Sequence, residues 1–217
     1  MSNGRSIEKR RADRGSWVMR GDLKDKKQSN VKQKILRKSV GLFYKKGFAR
    51  ASIREIAKGA SIRGSTVYHY FKNKDEILFK IICDEGLNLL RILNSLMDQY
   101  DDPVQCLREM IFRQICLMSG RQKEIKIFME DQYQLPPRLR EEAVKQHREI
   151  YDLYYRMISK LERRGFLKEG DKTVKVFSIF ALMTWVYRWF RPNGRLTIEQ
   201  VAKEVIDIYF RGILREG

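Results

Sequence analysis

The chain has 217 residues, enough to bury a large core, and 43% of them are aliphatic, aromatic or cysteine; that excludes a chain disordered throughout. A formal net charge of +18, from 45 Lys/Arg against 27 Asp/Glu, points to an anionic partner such as nucleic acid or an acidic membrane face. No apolar run approaches the roughly eighteen residues of a membrane helix, and the N-terminus lacks the apolar segment of a signal peptide, so no membrane partner and a cytoplasmic location are expected.

The charge is uneven. Residues 1–72 hold twenty Lys/Arg and five Asp/Glu, a local net of +15, against +3 for the remainder. Residues 1–29 are polar, basic and aperiodic, and read as a disordered tail. It is either a solubilising extension or a basic arm that follows phosphates. From Val31 the spacing turns helical through Ile35, Leu36, Leu42 and Phe43, with Gly47 as a stop. Ser52 with Glu55 forms a capping box for a second helix, closed near Gly59. A turn at Ala60–Ile62 leads to a short third helix ending about Tyr70. Asn73 with Glu76 caps a long helix running towards Gln99.

Asp102-Pro103 opens the next helix, with Gly120 past its end, and another spans about Gln122 to Tyr133 before Pro136-Pro137. Residues 138–164 form a long amphipathic helix closed by Gly165. Asp171 caps a helix reaching Phe190, and Thr197 with Gln200 caps a last one ending near Leu214. No stretch alternates long enough for a sheet. The expected fold is all-α: a three-helix head with a helix-turn-helix over residues 30–72 and a six-helix body over residues 73–217.

The head carries the chemistry. With Ile53, Ile56, Ala57, Ala60, Ile62, Val67 and Phe71 as its core, Gly64, Ser65, Thr66, His69 and Tyr70 face outward. Small and hydroxyl-bearing residues let a helix settle in the major groove and meet base edges. Arg54 and Lys72 flank that face, Lys74 sits at a helix N-terminus that favours anions, and Arg63 supplies a phosphate or guanine contact. The cysteines Cys83, Cys106 and Cys116 are scattered, with no CxxC and no Cys/His cluster, and are expected as buried reduced thiols. No nucleophile–base pair and no glycine-rich phosphate loop occur. No catalytic residue, metal ligand or cofactor is therefore expected; a DNA-reading regulator and an effector-free DNA-packaging protein remain.

About fifty continuous residues carry a resemblance. Ile35-Leu36, Leu42-Phe43, Lys46-Gly47-Phe48, Ser52–Ala57, Thr66–Phe71, Lys74 and Leu78 resemble the DNA-binding domain of the TetR family of bacterial transcriptional repressors. The resemblance implies phosphate contacts from Tyr68 and Lys74 and base contacts from Gly64, Ser65, Thr66 and His69. Tyr70 stands where the family often has His or Tyr. The chain departs from the pattern at Ser61 and Ser65, where glycine is usual, and at Arg63, where a Ser/Thr cap is usual.

The body is expected to pair the heads. The helix over residues 171–190 is apolar nearly all round and needs cover on several sides. The resemblance implies a homodimer through helices 171–190 and 197–214, over a palindromic double-stranded operator. Thr184–Ala202, preceded by Gly165-Phe166-Leu167 and Asp171, also resembles a branch of the family that answers to acyl-CoA thioesters. An interior lined by Phe128, Tyr154, Phe180, Met183, Thr184 and Tyr187 suits an acyl chain or ring, and Arg188, Arg191 and Arg195 suit phosphates. The same stripe reads equally as plain core with arginines paired to carboxylates. The expected effector is a small hydrophobic molecule, an acyl-CoA thioester first and a multidrug-type compound second.

Overall fold

The structure, a computed structural model, describes residues 28–215. Nine α-helices and one short 3-10 turn make up the fold among the described residues, with no strand beyond an isolated antiparallel bridge between Leu167 and Leu214. The helices are α1 (residues 28–46), α2 (Ile53–Gly59), α3 (Gly64–Tyr70), α4 (Lys74–Gln99), α5 (Pro103–Cys116), α6 (Gln122–Glu130), α7 (Pro137–Arg163), α8 (Lys172–Trp189) and α9 (Ile198–Ile213). The fold is the expected all-helical head and body. The basic tail lies outside the described residues apart from its last two, which are already helical.

The caps form as the sequence spells them. Ser52 and Thr197 make full capping boxes with Glu55 and Gln200, and Asn73, Asp102 and Asp171 accept first-turn amides; such caps are each worth about 1 kcal/mol. Two helices stop sooner than spacing suggests. α5 ends at Cys116, after which Met118 N–H and Ser119 N–H turn back to Ile115 and Cys116. α6 ends at Glu130, and the 3-10 turn Gln132–Gln134 carries the chain to the prolines. In both places tight i→i−3 bonding consumes the last turn.

Two cores form, and α4 serves both. Its first half places Ile77, Leu78, Ile81 and Ile82 in the head core with Ile35, Phe43, Ile56, Val67 and Phe71. Its second half places Leu90, Leu93 and Leu96 in the body core. Ile127 of α6, Leu135 just after the 3-10 turn, and Ala143 of α7 also lie in the head core. Each fully buried aliphatic side chain contributes about 1.5–3 kcal/mol. In the body α4 packs along α7, α5 against α9, and α7 against α8.

α8 is buried along Val176, Ile179, Met183 and Val186. Its other side leaves Val174, Phe177, Ala181, Trp185 and Trp189 exposed, a stripe at helical spacing. Ile208 on α9 is exposed as well. Cys83 and Cys106 are buried and Cys116 is half-buried; none is in a disulfide.

Candidate nucleic-acid interface and effector cavity

α2 and α3 are joined by a Schellman turn. Ile62 N–H donates to Ala57 O at 3.0 Å and Ser61 N–H to Lys58 O at 3.1 Å, with Ser61 at φ 53°. That left-handed conformation favours glycine, and a side chain there costs about 1 kcal/mol. The turn fixes where α3 begins. Arg63 occupies the cap position without a side-chain cap bond.

Val67 is fully buried and Phe71 nearly so, which orients α3. Arg54, Arg63, Ser65, Tyr68, His69 and Lys72 are then exposed, and Gly64, Thr66 and Tyr70 half-exposed. Tyr68 is 58% exposed, unusual for an aromatic ring with a polar tip. The His69 and Tyr70 rings meet edge to face at 5.1 Å. A Cβ added to Gly64 would meet no atom within 4 Å. Nothing inside the chain requires glycine at 64.

Lys74 is placed differently from its neighbours. Its ammonium donates to the carbonyl oxygens of Phe48 (2.8 Å), Ala49 (3.1 Å) and Ala51 (3.0 Å), and stands 4.3 Å from the Phe48 ring centre. All three of its hydrogens are engaged. In the free protein it ties the start of α4 to the chain before α2. Beside it, Lys46 pairs with Glu55, and that pairing together with the Ser52 hydrogen bonds holds the Glu55 carboxyl near 2.

The body holds a narrow apolar cavity of about 80 Å³ between α4, α5, α6 and α8. Leu89, Ile125, Phe128 and Met129 supply its apolar wall, and Glu85, Gln114, Arg121 and Thr184 its polar points. Of the residues the sequence suggests for an effector site, Phe128 and Thr184 line this cavity. Tyr154 lies deeper, fully buried, donating to Gln114 Oε1 at 2.8 Å with its ring edge-on to Phe180 at 5.1 Å. Burial pushes its phenol well above the usual value. Met183 is buried beside it, 3.9 Å from the Tyr154 hydroxyl. Tyr187 and Arg188 sit outside the cavity, both donating to Glu130 Oε1, at 3.0 and 2.8 Å. Arg191 and Arg195 are exposed. Sequence spacing gave no hint of Glu85, Leu89 or Gln114, because they sit on ordinary amphipathic helices.

At the cavity mouth Arg121 pairs with Glu85 across α4 and the α5–α6 connection. Burial pushes the Glu85 carboxyl up to about 7, although Arg121 pulls the other way. α6 links this cavity to the head: Phe128 lines the cavity, Ile127 sits in the head core, and the Lys126 ammonium lies 5.1 Å from the Tyr44 ring centre on α1. A depression of about 1050 Å³ along α1 and α4 is open and polar. No group of three His, Cys, Asp or Glu among the described residues is arranged to hold a metal, and no described helix is long and apolar enough to cross a membrane.

Residues 35–81 match the family of bacterial regulatory proteins called the tetR family, and residues 100–213 match the tetracyclin repressor-like C-terminal domain. The HTH-type transcriptional repressor KstR2 of Mycobacterium tuberculosis (strain ATCC 25618 / H37Rv) is 23% identical over 188 residues, covering 84% of this chain and 92% of that protein. The crystal structure of AibR in complex with isovaleryl coenzyme A and operator DNA aligns with a TM-score of 0.76 at 28% identity, covering 83% of this chain and 98% of that one. The structure of KstR2 from M. tuberculosis shares the fold at a TM-score of 0.78 and 20% identity, covering 85% of this chain and 95% of that one.

Proposed function

Because the chain belongs to the TetR family of bacterial transcriptional regulators, we propose that it is a repressor that binds a palindromic operator as a homodimer and is released by a short acyl-CoA thioester. The observation that carries the DNA half is the surface of α3. Tyr68 is largely exposed on this helix, and a Cβ added at its Gly64 would meet no atom within 4 Å. One such head makes few base contacts, so two are needed about 34–36 Å apart, or at a multiple of a turn. The exposed stripe from Val174 to Trp189, with Ile208, supports α8 and α9 as the dimer surface.

The effector half rests on the cavity and on likeness to AibR, which was solved with isovaleryl coenzyme A. Release is a population shift. The ligand binds better to a body conformation in which α6 and the first turns of α4 have moved, and the two heads no longer match successive grooves. Full release requires a preference on the order of 5 kcal/mol for that conformation.

The test is fluorescence anisotropy on the full chain with a selected palindrome and a scrambled control. The expected results are a thousandfold preference for the palindrome and its loss on adding a short acyl-CoA. Equal affinity for both DNAs overturns the operator reading in favour of a packaging protein. Release by cationic drugs but not by thioesters replaces the effector class.

A further inference from the structure

We propose, resting on the acyl-CoA reading above, that the phosphate-bearing part of the effector lies in the groove between α4 and α5, held by Arg91, Arg113 and Arg121. A cavity of about 80 Å³ matches only a few carbon atoms, given that a water molecule takes roughly 30 Å³ of the liquid. Most of a CoA ester must therefore lie outside it.

The cavity has a continuation. It shares Asn88, Leu117 and Arg121 with a groove of about 610 Å³ that runs between α4 and α5. The lining of this groove contains three arginines and no carboxylate. Arg91 comes from α4, Arg113 from α5, and Arg121 from the connection that closes the cavity mouth. Arg91 has no ion-pair partner among the described residues, Arg113 meets only Glu109 of its own helix, at 3.5 Å, and Arg121 pairs with Glu85 at the cavity mouth. Guanidinium groups form paired hydrogen bonds with phosphate oxygens, and three around one trough suit a polyphosphate. Asn88, Ser95 and Gln99 offer hydrogen bonds to the amides of a pantetheine arm.

Arg188, the one arginine of α8, sits with Glu130 and the Tyr187 hydroxyl and lines neither the cavity nor the groove. Placing the phosphates between α4 and α5 also connects ligand to function, since α4 is the helix whose first half sits in the head core.

Calorimetric titration of the full chain with isovaleryl-CoA and with isovaleryl-pantetheine tests this. Arg91 and Arg113 are exposed, so R91A/R113A leaves the core intact, and R188A serves as the comparison. The wild type is expected to prefer the CoA ester at least tenfold. R91A/R113A loses that preference while keeping its affinity for the pantetheine ester, and R188A retains it. Persistence of the preference in R91A/R113A, its loss in R188A alone, or equal wild-type affinity for the two esters overturns the groove assignment and leaves the acyl-CoA reading standing. Wild-type binding to neither ester overturns both.

Discussion

Lys74 Nζ donates to the Phe48 carbonyl oxygen at 2.8 Å, twenty-six residues back along the chain, and caps two further carbonyls in the same loop. Lysine here is a clamp between α4 and the approach to α2. Hydrogen bonds from a charged donor contribute about 1.5–3 kcal/mol each and do not add fully. Lys74→Met is expected to lower stability by about 2 kcal/mol in urea unfolding, and to weaken all DNA binding alike. Unchanged stability would show that the clamp is idle.

The operator contacts proposed for Tyr68 and Thr66 are of two kinds. Replacing the exposed Tyr68 with Ala leaves the head core untouched, so melting stays unchanged while affinity falls evenly across sequences. Thr66→Ala or His69→Ala instead relaxes base choice, costing about 1–3 kcal/mol at the matching base pairs and little elsewhere. A panel of single-base operator variants in anisotropy distinguishes the two patterns. Uniform loss for both sets removes α3 from base reading.

Ser61 holds a left-handed conformation at φ 53°. Ser61→Gly relieves the crowding at Cβ but loosens the unfolded chain, and the net expected gain is about 0.5–1 kcal/mol. Ser61→Val is expected to destabilise by more than that, because branching worsens the same clash. Thermal melting of both variants reads the sign directly.

Glu85 supplies a pH dependence. Burial raises its carboxyl from 4.5 to about 7 in the folded chain. Between those values the folded state holds more protons than the unfolded one, so this group makes stability fall as pH rises from about 4.5 to 7. The size is on the order of 1–3 kcal/mol, from roughly 1.4 kcal/mol per pH unit less solvent screening. Glu85→Gln is expected to flatten that segment of the stability–pH curve. An identical slope in both proteins would remove Glu85 as its source.

Trp185 is 58% exposed and Val174 63%, on one face of α8. Trp185→Glu is expected to yield a monomer in sedimentation equilibrium, with its helical content intact and its operator affinity lost. A dimer that survives this change moves the interface to another face.

The helix starts of the fold were legible because they depend on local chemistry. Ser52 with Glu55, and Thr197 with Gln200, need only three residues to specify a helix start. The exposed face of α3 was legible for a similar reason, since burying Val67 and Phe71 orients a seven-residue helix. The cavity was not. Its walls come from four helices whose partners are far apart in sequence, and an inward-facing Leu89 looks the same whether it meets a neighbour or a void. Tyr154 of α7 and Phe180 of α8 stand out in the sequence as aromatic residues, but they pack on each other. Glu85 and Gln114 read as ordinary polar residues until a buried Tyr154 and a facing Arg121 give them roles.

The head does not own all of its core. Ile127, Leu135 and Ala143, contributed by distant body segments, complete the cluster around Phe43 and Val67. A fragment cut at the end of α4 would leave a bare apolar scar where those three side chains belong. Melting of the whole chain should accordingly proceed as one cooperative event in calorimetry, and the isolated N-terminal piece should be the more fragile and the stickier of the two.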